Sequence, residues 1–124
     1  MKGVCLNPHP LLTNKTLEYY KAMKQTLIKE YIRNKKNDPR GVAIAIKSND
    51  QVFYGYSLCN PCDKYNKEFG INIAVNRALA TDGYSLPESP ETVRTIVTKF
   101  KNLEARALRY FKDVAPENIV FDAE

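Results

Sequence analysis

Histidine is nearly missing from this chain: the 124 residues hold one, His9, followed at once by Pro10 and Leu11. Most acid–base schemes thereby lose their commonest actor. The His-x-Glu element that zinc deaminases pair with Pro-Cys-x-x-Cys is absent, so that family is excluded. No Gly-x-Gly-x-x-Gly, Walker A or Gly-x-Ser-x-Gly sequence occurs. Cysteine is scarce and odd in number, with Cys5, Cys59 and Cys62. An odd count argues against a disulfide framework and for a reducing, cytosolic setting. No apolar run approaches the ~20 residues that cross a bilayer. Met1 to Pro10 carries one lysine and no apolar stretch of the kind a secretory signal needs. These absences point to a soluble domain that binds rather than catalyses.

What is present supports a modest core. A hydrophobic content of 44% and a mass of 14.2 kDa suit one domain, residues 1–124, with 1–13 as an irregular arm around Pro8 and Pro10. The net charge of +5 is uneven. Residues 1–40 hold nine Lys or Arg against three acids, residues 41–80 sum to +1, and residues 81–124 to −2. Excess positive charge favours nucleic acid, nucleotides or other phosphates as partners, although lysines also serve simply to keep a helix face solvated.

The local patterns predict an α+β fold. Asn14 as N-cap and Leu17, Tyr20, Met23, Leu27 and Tyr31 at helical spacing predict an N-terminal helix to about Arg33. It breaks at Asn34 to Pro39. Gly41 to Leu58 reads as an antiparallel β-hairpin turning at Ser48-Asn49-Asp50. Asp63 can cap a second helix over 64–81 that ends at Asp82-Gly83. Ser89 as N-cap and Pro90 at the first helical position launch a third, to about Lys112. Its expected core stripe is Val93, Ile96, Val97, Phe100, Ala107, Leu108 and Phe111. Ile119-Val120-Phe121 could add a short final strand.

Cys59-Asn60-Pro61-Cys62, between a strand and a helix, sits where a thioredoxin-like protein keeps its redox pair. That fold needs further strands after the following helix, and two helices fill most of the remainder here. A zinc site would have to combine Cys59 and Cys62 with Cys5 and His9, and no second paired motif pins its geometry. The plainer reading is that these cysteines pack in a strand-to-helix turn.

Two polar groups stand out. Asn72 and Asn76 lie on a strongly apolar helix with Arg77 beside them, and buried amides need partners. They tie the helix to the hairpin or another subunit, or else meet a ligand. On the last helix, Lys99, Asn102, Arg106 and Arg109 lie opposite the core stripe with Tyr110 next to them. Forked guanidiniums grip phosphates and a tyrosine stacks on a base, while the same residues also suit an ordinary solvated face.

The segments Gly41-Val-Ala-Ile-Ala-Ile, Tyr54-Gly-Tyr-Ser-Leu-Cys-Asn60, Asp63-Lys-Tyr-Asn-Lys-Glu-Phe-Gly70, Ile73-Ala-Val-Asn-Arg-Ala-Leu79 and Ala107-Leu-Arg-Tyr-Phe111 together resemble the first family of phage Thoeris anti-defence proteins. The likeness covers roughly residues 40–112. It implies a sponge without enzymatic activity or cofactor. Such a protein sequesters a cyclic ADP-ribose isomer in the cytoplasm of a host bacterium and starves the immune effector of its activator. It further implies a homo-oligomer, from a dimer up to a hexamer, with ligand where protomers meet and a cyclic oligonucleotide at a separate site in some members. Arg109 most resembles a family ligand contact. Arg106, Arg77, Asn76, Asn72, Lys99 and Tyr110 complete the expected ligand set from the residue chemistry alone, with no metal. Two other readings stand beside it. One is a nucleic-acid module using Lys29, Arg33, Lys35, Lys36 and Arg40 on phosphates. The other is a protein-interaction adaptor anchored by Tyr19, Tyr20, Tyr54 and Tyr56.

Overall fold

Strand β2, Pro39–Ser48, organises the molecule, because it is buried on both faces from Gly41 to Ile46. A run of Gly-Val-Ala-Ile-Ala-Ile without polar alternation suits only a strand covered on both sides. In the computed structural model, which describes residues 26–60, 63–80 and 83–121, β2 lies between β1, Leu27–Arg33, and β3, Gln51–Leu58. The three form one antiparallel sheet in the order β1-β2-β3. Two helices follow, α1 at Lys67–Ala78 and α2 at Pro90–Tyr110, and then a short 3-10 turn at Pro116–Asn118. The chain is therefore α+β. No helix among the described residues is long and apolar enough to cross a membrane.

Each helix covers one face of the sheet. Val42, Ile44 and Ile46 pack with Ile71, Ala74, Val75 and Ala78 of α1. Ala43, Ala45, Tyr54 and Tyr56 pack on the other side with Ile96, Phe100, Leu103 and Ala107 of α2. Registry explains the sizes. Ala43 and Ala45 stand opposite Tyr56 and Tyr54, so small residues make room for rings. On the opposite face Gly55 pairs with Ile44. A Cβ on Gly55 would lie 2.2 Å from the Ala74 carbonyl oxygen, so its bare backbone lets α1 approach.

The hairpin forms as expected, with Ser48 opposite Gln51 and Asn49 at φ 58°, a left-handed conformation that asparagine tolerates. The expected N-terminal helix does not hold over its described part: Leu27–Arg33 is a strand, while residues 14–25 and the arm lie outside the described residues. Spacings of four suit a helix, but four is also a multiple of the strand period of two. Leu27 and Tyr31 therefore share a strand face equally well. Asn34 to Asp38 becomes a turn between strands, where Asn34 Oδ1 accepts from the Lys36 and Asp38 amides at 2.9 Å each.

Helix α1 starts later than 64 and ends before 81. Asn66, not Asp63, caps it, accepting from the Phe69 amide at 2.9 Å. Its C-cap is Leu79, so Gly83, although at φ 78°, lies beyond the helix end, and Asp82 is outside the described residues. Helix α2 begins as expected, with Ser89 Oγ accepting from the Thr92 amide. Its core stripe is corrected at two positions: Leu103 is fully buried, and Leu108 is 45% exposed. Leu108 lies one helical step, about 100°, past Ala107 and out of the stripe. Residues 119–121 add no strand. Ile119 enters the core and its carbonyl accepts from the Tyr54 hydroxyl, while the Phe121 ring centroid lies 4.7 Å from that of Phe100.

Candidate functional site

Glu30 determines what the cationic face of α2 can do. It sits on edge strand β1, on the α2 side of the sheet and in register with Ala43. Residues at i, i+3 and i+7 of a helix share a face. Lys99, Asn102 and Arg106 accordingly converge on this one carboxylate. The Lys99 amine lies 3.8 Å from Oε1, Asn102 Nδ2 donates to Oε1 at 3.3 Å, and Arg106 Nη1 lies 3.6 Å from Oε2. Arg106 also donates to the Lys29 carbonyl at 2.9 Å, pinning the edge strand to the helix. Two cations share one acid, so the cluster keeps a net positive charge.

Arg109 is different. It is exposed and makes no ion pair or hydrogen bond among the described residues; its guanidinium lies 5.8 Å from the Tyr110 ring centroid. Arg106 lies at the same 5.8 Å. Tyr110 is 57% exposed. An open aromatic ring thus has two guanidiniums within 5.8 Å at the end of α2. Toward the start of the same helix, Glu91, Arg94, Thr95, Thr98 and Lys99 line a shallow depression of about 480 Å³. From Pro90 to Lys112 the chain holds six Lys or Arg against two Glu, which gives this helix a positive field.

The remaining expected ligand residues lie across the sheet, on α1. Asn72 is fully buried; its Nδ2 donates to the Glu68 carbonyl at 3.3 Å and its Oδ1 has no hydrogen-bond partner among the described residues. Asn76 is exposed. Arg77 is half-buried, donates from Nη1 to the Tyr56 carbonyl at 3.0 Å, and lies 4.9 Å from the Tyr56 ring centroid. The sheet therefore separates Lys99, Arg106, Arg109 and Tyr110 from Asn72 and Asn76, while Arg77 reaches round the β3 edge to Tyr56.

Arg40, assigned to phosphates in the nucleic-acid reading, is turned inward. Its Nη2 donates to the Asn60 and Asp63 carbonyls at 2.6 and 2.7 Å and lies 3.4 Å from Cys59 Sγ. It therefore knits the β3–α1 connection. Lys29, Arg33, Lys35 and Lys36 remain exposed. Cys59 is buried, whereas Cys5, His9 and Cys62 lie outside the described residues. Among the described residues no three His, Cys, Asp or Glu side chains form a group able to hold a metal.

Sequence reasoning missed Glu30 and Tyr84. An acid flanked at two-residue spacing by Ile28 and Ile32 is a signal once the segment is read as a strand. Compared with protein-family models, curated proteins and solved structures, the chain matches none.

Proposed function

We propose that the protein binds and sequesters, without cleaving it, a cyclic ADP-ribose-type signalling nucleotide, and so acts against Thoeris defence as the proteins it resembles do. The observation that carries this reading is the exposed Tyr110 ring flanked by Arg106 and Arg109. A cyclic ADP-ribose brings a diphosphate for forked guanidinium donors and an adenine for an aromatic face. Arg109 spends none of its donors within the described protein, so its charge is available to a ligand.

The end of one helix is convex, whereas small-molecule sites bury most of their ligand in a concavity. A second protomer supplies the missing wall. Leu108, 45% exposed beside Arg109, gives that contact an apolar component. Binding in such an interface requires no catalytic group.

Calorimetric titration with purified cyclic ADP-ribose isomers tests the proposal. At least one isomer should bind to saturation and return chemically intact after the protein is denatured. Recovery of linear ADP-ribose would replace the sponge with an enzyme, and no binding by any isomer would end the proposal.

A further inference from the structure

Edge strand β3 presents outward backbone carbonyls that need donors. Side chains supply them. Arg77 Nη1 reaches the Tyr56 carbonyl at 3.0 Å, and the Tyr84 hydroxyl reaches the Tyr54 carbonyl at 2.6 Å. The Tyr56 hydroxyl in turn donates to the Ser85 carbonyl at 2.8 Å, and the Tyr54 hydroxyl to that of Ile119. These bonds tie residues 83–85 and 119–121 against the strand. A cleft of about 280 Å³ remains, lined by Phe53, Tyr54, Arg77, Tyr84, Val120 and Phe121 among others.

Among the described residues its walls are mostly aromatic or aliphatic, with one cation. Arg77 uses one of its five N–H donors on Tyr56, and the others have no partner within the described protein. The rim leaves apolar surface in water, with Tyr84 36% and Val120 56% exposed. A flat ring covering that surface while its anionic group meets the spare guanidinium donors satisfies both demands. Size narrows the choice. At about 280 Å³ the cleft falls at the floor of the roughly 300–1,000 Å³ typical of ligand sites. That volume matches one ring system and its anion.

We propose that the β3-edge cleft binds a single planar aromatic ring bearing one anionic group, with the chemistry of a purine mononucleotide, the ring against Tyr84 and Phe121 and the phosphate on Arg77. The site is independent of the Tyr110 face, which leans on β1 at the other edge of the sheet.

The test is calorimetric titration of the full chain with adenosine monophosphate, adenosine and ribose 5-phosphate. The mononucleotide should bind, with adenosine and ribose 5-phosphate each weaker by roughly tenfold or more, since each lacks one of the two contacts. Arg77→Gln should weaken the mononucleotide by a similar factor. Arg77 also holds the Tyr56 carbonyl, so Val120→Glu provides a second variant at an exposed position that the core does not use. Its carboxylate should repel the phosphate, yet leave the melting temperature and any cyclic ADP-ribose binding unchanged. No saturable binding of the mononucleotide overturns the proposal, as does equal binding of ribose 5-phosphate or indifference to Val120→Glu. Loss of cyclic ADP-ribose binding in Val120→Glu would merge the two sites and overturn their independence.

Discussion

Arg109 and Gly55 place opposite demands on their surroundings. Arg109 is exposed and bonded to nothing described except through its neighbouring ring. Arg109→Ala should therefore shift stability by no more than about 0.5 kcal/mol, as at ordinary surface positions. The same change removes a charge-assisted bond worth about 1.5–3 kcal/mol if the residue grips a diphosphate, a roughly ten- to hundred-fold loss of affinity for cyclic ADP-ribose. Lysine should restore only part, because a point charge lacks the planar fork. Calorimetry reads both variants, and unchanged affinity in Arg109→Ala would remove the residue from the site. At Gly55 a methyl group would stand 2.2 Å from the Ala74 carbonyl oxygen and 2.8 Å from the Ala78 nitrogen, both backbone atoms that cannot swing aside. Gly55→Ala should cost at least about 3 kcal/mol in denaturant unfolding, at the upper end of overpacking penalties. A loss under about 1 kcal/mol would mean that α1 can lift off the sheet without penalty.

At the scale of elements, the helix starts are governed by single side chains. Asn66 Oδ1 satisfies an amide of the first turn of α1 that the helix itself leaves open. Asn66→Ala should destabilise the protein by about 1 kcal/mol, and Asn66→Asp should avoid most of that loss, since aspartate caps comparably well. Chemical denaturation of both variants separates a cap from a mere surface contact: equal losses would mean that the oxygen is not what counts. The same element scale exposes the weakness of periodicity. Leu27 and Tyr31 satisfy helix and strand spacing alike, and pairing with β2 decided for the strand. Ile28 and Ile32 then reach the α2 face, and Leu27 and Tyr31 the α1 face.

For the molecule as a whole, tyrosines join the layers. Burial pushes the Tyr84 hydroxyl from 10.0 up to about 12, and raises Tyr54, Tyr56 and Tyr65 as well. The folded state thus holds these protons more tightly than the unfolded chain does. The stability so contributed is complete below pH 10, the unfolded value, and is lost as pH rises through the folded values. Melting temperature should hold steady to about pH 10 and then fall, with a shallower fall in Tyr84→Phe. An unchanged slope in that variant would assign the effect elsewhere. Assembly is testable at the same scale. Leu86, Leu108 and Tyr110 leave large apolar groups in water outside the β3-edge cleft, and the proposed site needs a second wall. Light scattering at micromolar concentration should return a mass above 14.2 kDa, and a monomer would remove that wall and with it the Tyr110 site.

Some of this was already determined by sequence alone. The hairpin from Gly41 to Leu58 and the start of α2 at Ser89-Pro90 rest on contacts within a few residues, such as turn chemistry, alternation and caps. Neighbours along the chain suffice to set them. Other features waited for the tertiary structure. Lys99 and Arg106 looked like free cations until β1 brought Glu30 to them from some seventy residues away in sequence. Asn72 and Asn76 looked equivalent, one turn apart, until packing buried the first and left the second in water. The division of the expected ligand residues between the two faces of the sheet was equally invisible, because it depends on which helix covers which face. That choice follows from the β2–β3 register, where Gly55 admits α1 on one side and the two alanines opposite the tyrosines admit α2 on the other. Local chemistry decides which elements form, and the side chains that meet between distant elements decide which charges stay free to bind.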